Sequence, residues 1–116
     1  MFENLNKGAV STIQEGIDLL ELEFIKLREF IGDTLLVKGF FFTNGKYGEQ
    51  VVVVGYSVHN ARMYKVNFPN RAVEQFKTIQ NNQEQLQALL DGKLSIVDIK
   101  EVNGKNGKFI AYTFKG

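Results

Sequence analysis

Cations and aromatic rings are interleaved through the first half of this 116-residue chain: Lys38 with Phe40 and Phe42, Lys46 with Tyr47, then Tyr56, then Arg62 with Tyr64 and Lys65. The two residue types answer two chemistries at once. A lysine or arginine neutralises a phosphate. A flat ring stacks on a base, and each stack is worth ~1–3 kcal/mol whichever base it is. Side by side they suit a single-stranded polyanion bound without regard to sequence. Two further cations, Lys105 and Lys108, lie in the glycine-rich segment Asn-Gly-Lys-Asn-Gly-Lys at 103–108.

Several of these residues also have a structural explanation. At least two of the rings at 40–42 suit a core, and Tyr64 shares strand parity with Val66 and Phe68. Lys105 and Lys108 equally suit a solvated turn. Lys46 and Tyr47 occupy a turn in which packing asks for neither. Arg71 flanks a predicted helix start, where a cation opposes the helix dipole.

Catalytic chemistry finds less support. His59 is the only histidine, and it sits in a polar stretch. There is no cysteine, hence no disulfide, thiolate nucleophile or thiolate zinc site. Gly45-Lys46, Gly92-Lys93 and Gly107-Lys108 each lack the following Ser or Thr and the upstream glycine spacing of a phosphate loop. Asp98 and Glu101 are lone acids on a predicted strand. The expectation is a protein that is not an enzyme, with no metal site and no cofactor.

The elements that must position these residues are mainly strands. A first strand spans about 34–43, with a bulge expected at Gly39 that leaves open which of Phe40, Phe41 and Phe42 is buried. Asn44-Gly45 and Gly48 signal a hairpin into a second strand at 49–56. A polar turn at 57–61 leads to a third strand, 62–68, ended by Pro69. Asn70 is a candidate cap for a helix from Arg71, interrupted at Asn81-Asn82, resumed over 83–91 and closed by Gly92. Strands at 94–102 and 109–114 flank the 103–108 hairpin. Three strands, a helical segment and two strands predict a mainly β, five-stranded barrel of the OB type. In such a barrel strands two and three and the adjacent loops form the binding face.

Residues 1–24 read as an N-terminal arm and 25–116 as the barrel, one domain overall. Val10, Ile13, Ile17 and Leu20 follow helical spacing with Ser11 or Thr12 as cap, yet 20–24 alternate like a strand. Gly8 and Gly16 weaken both patterns. A short helical turn is expected at 26–31. The arm's apolar positions, with Leu22, predict packing on the barrel or on a second copy, in a homodimer or higher assembly.

Charge divides the same way. Residues 1–33 hold three basic and seven acidic residues, net −4, and the remainder holds 11 basic and 6 acidic, net +5. A basic body points to a polyanion. Ten Phe in so small a domain predict some rings outside the core. The N-terminus lacks the layout of a signal peptide and no apolar run is long enough to span a membrane, so a cytoplasmic protein without membrane partners is expected.

Three stretches carry a resemblance: residues 24–33 (FIKLREFIGD), 39–50 (GFFFTNGKYGEQ) and 67–76 (NFPNRAVEQF), supported by Gly92-Lys93-Leu94 and the 103–108 hairpin. Over about three-quarters of its length the chain resembles the single-stranded DNA-binding proteins of tailed phages, especially lactococcal ones. The resemblance implies an OB barrel that binds single strands with little sequence preference and acts in phage replication or recombination, in the host cytoplasm. Host or phage replication and recombination proteins are then candidate partners. Recruitment through an acidic C-terminal tail is not expected, because the sequence ends Tyr-Thr-Phe-Lys-Gly. The rival expectation is an OB-like protein-interaction module, a phage adaptor or assembly part, without nucleic acid. RNA is a third option, although no reader of a 2′-hydroxyl stands out.

Overall fold

The computed structural model describes residues 12–46 and 48–116. Tyr47, Val10, Ser11 and Gly8 therefore lie outside the described residues. The fold is mainly β, a curled half-barrel sheet with two helices. Among the described residues there are six strands, not five: β1 Glu23–Lys26, β2 Leu35–Gly45, β3 Gly48–Ser57, β4 Arg62–Asn67, β5 Ser95–Gly104 and β6 Gly107–Lys115. Their order in the sheet is β1-β4-β3-β2-β5-β6, antiparallel except for β1, which runs parallel to β4.

The added strand corrects the reading of the arm. No α-helix forms over 13–20; Gly16 takes a φ of +83°, which a helix cannot contain. A single 3-10 turn, Leu19–Glu21, is capped by the Asp18 side chain, which accepts from the Leu20 amide at 3.0 Å. A second 3-10 turn, Leu27–Phe30, matches the short turn expected at 26–31. Between them the Glu-Phe-Ile-Lys run adds to the free edge of β4.

The β2–β3 hairpin closes at the Gly45↔Gly48 pair around a two-residue turn, the length that suits strand twist. Gly48, the ladder partner of Gly45, has a positive φ of +113°, which suits glycine. The expected bulge is present: the register shifts between Val37 and Gly39. It lets Leu35 and Val37, then Phe40, all enter the core. A second bulge, between Val97 and Lys100, does the same for Ile96 and Ile99. Asp98 sits there at φ +53°. No glycine marks that site in the sequence.

Helix α1, Ala72–Gln80, buries Val73, Phe76 and Ile79. Asn70 is not its cap. The chain is already wound there, since the Ala72 amide donates to the Pro69 carbonyl at 2.9 Å and the Val73 amide to that of Asn70 at 3.1 Å. Helix α2, Gln83–Leu90, starts at Asn82, whose side chain accepts from the Gln85 amide at 3.0 Å. Gly92 closes it at φ +79°, with Lys93 N–H reaching the Ala88 carbonyl at 2.9 Å. Among the described residues no helix is long and apolar enough to cross a membrane.

The core is an aromatic stack under α1. Phe76 meets Phe40 at 5.0 Å between ring centroids, Phe114 at 5.5 Å and Phe68 at 5.9 Å; Phe68 meets Tyr112 at 5.1 Å. Phe30 and Phe42 also lie in or against the core, whereas Phe24 and Phe109 stay exposed.

Among the described residues β4 and β6 form no ladder. Side chains cross that seam instead. Phe68 packs on Tyr112, and the Arg71 guanidinium donates to the Ile110 carbonyl. It also lies over the rings of Phe109 (5.0 Å) and Tyr112 (5.3 Å). Arg71 thus has a packing role that its unfavourable place on the helix dipole concealed.

Candidate nucleic-acid interface

Strand register sorts every side chain of β1–β4 onto one of two faces. Leu35, Val37, Phe40, Val51, Val53, Tyr64, Val66 and Phe68 face the core. The opposite, outer face is ordered in rows by the pairings. One row runs Met63–Tyr56–Leu36. The next runs Phe24–Lys65–Val54–Gly39, and a third Lys26–Asn67–Val52–Phe41. Val52 and Val54 form a buried floor. Half-buried Phe41, Tyr56, Met63 and Lys65 surround it. Among the described residues of these rows none is acidic. The carboxylate of Glu49 faces away and pairs with Lys77 at 2.6 Å; that hydrogen bond holds the Lys77 ammonium above its ordinary 10.5.

The structure brings together Tyr56 and Lys65 from the expected set. They are diagonal neighbours across the β3–β4 pair, roughly 7–8 Å apart at their backbones. The set otherwise changes. Phe40 is 0% exposed and Tyr64 5%, so neither has a face to offer a base. The Tyr64 hydroxyl accepts from the Asn60 side chain at 3.2 Å. Phe42 packs against the core edge-on to Phe40, with Lys77 5.9 Å from its ring centroid. Of the three rings whose burial the sequence leaves open, Phe41, which is not among the expected site residues, is the one that the bulge turns outward.

Lys38 also leaves the set, for the same reason. As the extra residue of the bulge it lines a polar groove of about 610 Å³ with Gln14, Glu15, Gln87, Leu90 and Asp91, at the C-terminus of α2. A cation there complements the helix dipole. Arg62 has the parity of the core face but lies exposed at the rim, opposite Ser57. The nearby turn is stapled by Asp33, whose carboxylate accepts from the Ser57 hydroxyl and from the amides of Thr34 (2.6 Å) and His59 (3.0 Å). His59 therefore contributes its backbone to a turn.

The two hairpin tips do not converge. β5 runs antiparallel to β2 from the Leu36↔Ser95 pair, so the tips leave that crossing in opposite directions. Lys46 is exposed at one end. Lys105 and Lys108 are exposed at the other, where Lys108 lies 3.5 Å from Glu101. Cations thus sit at both ends of the sheet, with the outer face of β1–β4 toward the first. The expected residue Tyr47 is outside the described residues.

One polar atom on the outer face is unusual. Asn67 Oδ1 is buried and has no hydrogen-bond partner. Such an atom ordinarily costs about 1–3 kcal/mol.

A second concavity lies elsewhere. An apolar groove of about 610 Å³ opens between α1, α2 and the end of β6, with Ile79, Ala88, Leu94 and Phe114 in its walls. The described part of the arm lies against the sheet. Ile13 bridges Gly39, the Phe40 amide donates to the Thr12 carbonyl and the Gln14 amide to that of Lys38, both at 2.9 Å. The Gln14 side chain reaches the Leu90 carbonyl at 3.0 Å.

No protein-family model, no curated protein and no solved structure matches this chain at a significant level.

Proposed function

We propose that this chain is a non-enzymatic, sequence-independent single-stranded DNA-binding protein. The observation that carries the reading is the outer face of β2–β4. It sets Tyr56 beside Lys65, with Phe41 across the floor of Val52 and Val54, and none of its rows holds an acid. That is the combination of ring faces and cations a generic single-strand binder needs. An OB assignment is supported by the strand order. Numbered from β2, strand one pairs with two and four, two with three, and four with five, as in an OB barrel. The closing pair of that barrel would be β4 with β6. Here β1 occupies the free edge of β4, and Arg71 and the ring stack span the gap. A role in phage replication or recombination rests on the family resemblance of the sequence.

The experiment is a gel shift of a dT oligomer against a duplex of the same length, repeated over a salt series. Single-strand preference is expected, with an affinity that falls as ~0.7 per phosphate neutralised on a log–log scale. Equal affinity for duplex and single strand refutes the reading. The apolar groove between the helices favours the second reading, a protein-interaction module. That reading gains if no nucleic acid binds.

A further inference from the structure

We propose that β1 is part of the nucleic-acid path, with Phe24 as a base-stacking platform and Lys26 as a phosphate contact. The inference rests on the single-strand-binding reading above and extends it past the strands an OB barrel ordinarily uses.

β1 alternates by face. Ile25 pairs with Val66 and packs against the core; Phe24 pairs with Lys65 and Lys26 with Asn67, both on the outer face. Phe24 is 55% exposed. Among the described residues no ring or cation stacks on it, and an exposed Phe forgoes the burial that makes the residue stabilising. Edge strands normally blunt themselves with charge and avoid flat apolar rings. The ring's placement does have a pattern. Tyr56, Lys65 and Phe24 lie on β3, β4 and β1 in turn, so a ring, a cation and a ring follow one another across three adjacent strands. Lys26 sits one step along, beside Asn67. Neighbouring strands are ~4.8 Å apart. A single strand crossing the sheet from Tyr56 therefore meets Lys65 and then Phe24 before it leaves the edge. Phe24 and Lys26 repeat the chemistry of the face they extend, an aromatic ring and a cation, while Glu23, also exposed, has the opposite parity and pairs with Tyr64.

The test uses the full chain and dT oligomers stepped from about 4 to about 16 nucleotides, the range of site sizes for this kind of fold. Phe24→Ala is expected to raise Kd about 5- to 150-fold on the longest oligomer, the loss of one stack. It should leave the shortest oligomer, which does not reach β1, nearly unaffected. Phe24→Tyr should retain wild-type affinity. Lys26→Ala should reduce the salt slope by ~0.7. Thermal melts of all three should match wild type, because both side chains are exposed. Wild-type binding with no change in either alanine variant overturns this inference and spares the broader reading. Failure of the wild-type chain to bind any oligomer overturns both. A mass that halves in Phe24→Ala while binding is unchanged would make the β1 edge a contact for a second copy, and that too overturns it.

Discussion

Gly39→Ala is the sharpest test of how the arm meets the sheet. A methyl at position 39 would lie 2.6 Å from Ile13 Cα, 2.8 Å from the Thr12 carbonyl oxygen and 2.9 Å from Ile13 Cβ. Two of those atoms are backbone, so no rotamer change relieves the clash. β2 is paired with β3 along its length and cannot retreat; the arm must move. It is held to β2 by two backbone hydrogen bonds and by the Thr12 hydroxyl, which donates to the Phe40 carbonyl. At ~0.5–1.5 kcal/mol each, their loss removes roughly 1.5–4.5 kcal/mol. Alanine returns ~0.4–1 kcal/mol by narrowing the unfolded ensemble. The net destabilisation is about 2 kcal/mol, a fall in Tm of ~8 °C in a chain of this size. Gly55→Ala is the matched control. Its methyl would meet only Leu35 side-chain atoms, the nearest at 3.5 Å, so it should be neutral or slightly stabilising. Thermal melts read the difference, and hydrogen exchange at the Phe40 and Gln14 amides locates it. A Gly39→Ala protein that melts with wild type and keeps the Phe40 amide protected refutes the docking of the arm.

Tyr56→Ala should weaken dT binding by ~1–3 kcal/mol with the fold intact, whereas Tyr64→Ala should melt the core by several kcal/mol; anisotropy titrations paired with melts separate them. Lys65→Ala should flatten the salt slope by ~0.7 and Lys38→Ala should not, and equal effects would return Lys38 to the interface. Arg71→Ala removes the seam contacts to Ile110, Phe109 and Tyr112 and should destabilise by about 2 kcal/mol in denaturant melts. Burial holds the Tyr112 hydroxyl above its ordinary 10.0, against the opposing charge of Arg71. The folded state therefore keeps a proton the unfolded chain has lost, so its contribution is intact below pH 10 and falls as pH rises through the folded value; a melt series that grows more stable above pH 10 would contradict this. Light scattering on the full chain and on one lacking residues 1–20 tests the self-association expected of the arm. Residues 12–14 are engaged with β2, so Leu20, 92% exposed, is the arm's main described contribution. A monomeric full chain at micromolar concentration rules the dimer out.

The sequence is legible where one residue type dictates one backbone shape. Asn44-Gly45 with Gly48 located the hairpin, Gly39 the first bulge, and Gly92 the end of α2. The bulge also shows where pattern reading stops. One extra residue reverses strand parity, so Phe40 and Phe42 turned inward and Phe41 outward, and the candidate rings were exchanged. The Asp98 bulge carries no such marker, because Asp tolerates the left-handed region without advertising it. β1 was missed for a different reason. Four residues carry too little periodicity, and their partner, β4, lies some forty positions on; only the assembled sheet supplies it. Arg71 looked misplaced because its role lies in a contact with β6, equally far along the chain.

The junction between β2 and β5 has a kinetic consequence. Two residue pairs, Leu35↔Ile96 and Leu36↔Ser95, and the Val37 amide bonded to the Leu94 carbonyl are the ladder that joins the β2–β4 meander to the β5–β6 hairpin. Each part is built from neighbours in sequence and can form within about 1–10 μs per hairpin. Their union requires a loop through both helices to close before the Phe68–Tyr112 stack yields any energy. The expected behaviour is that the two parts dock late in folding. Substitutions in the ring stack should then speed unfolding while leaving the folding rate nearly untouched. The β5–β6 hairpin would be the first part of the sheet to let go, taking Lys105 and Lys108 with it and leaving the outer face of β1–β4 standing.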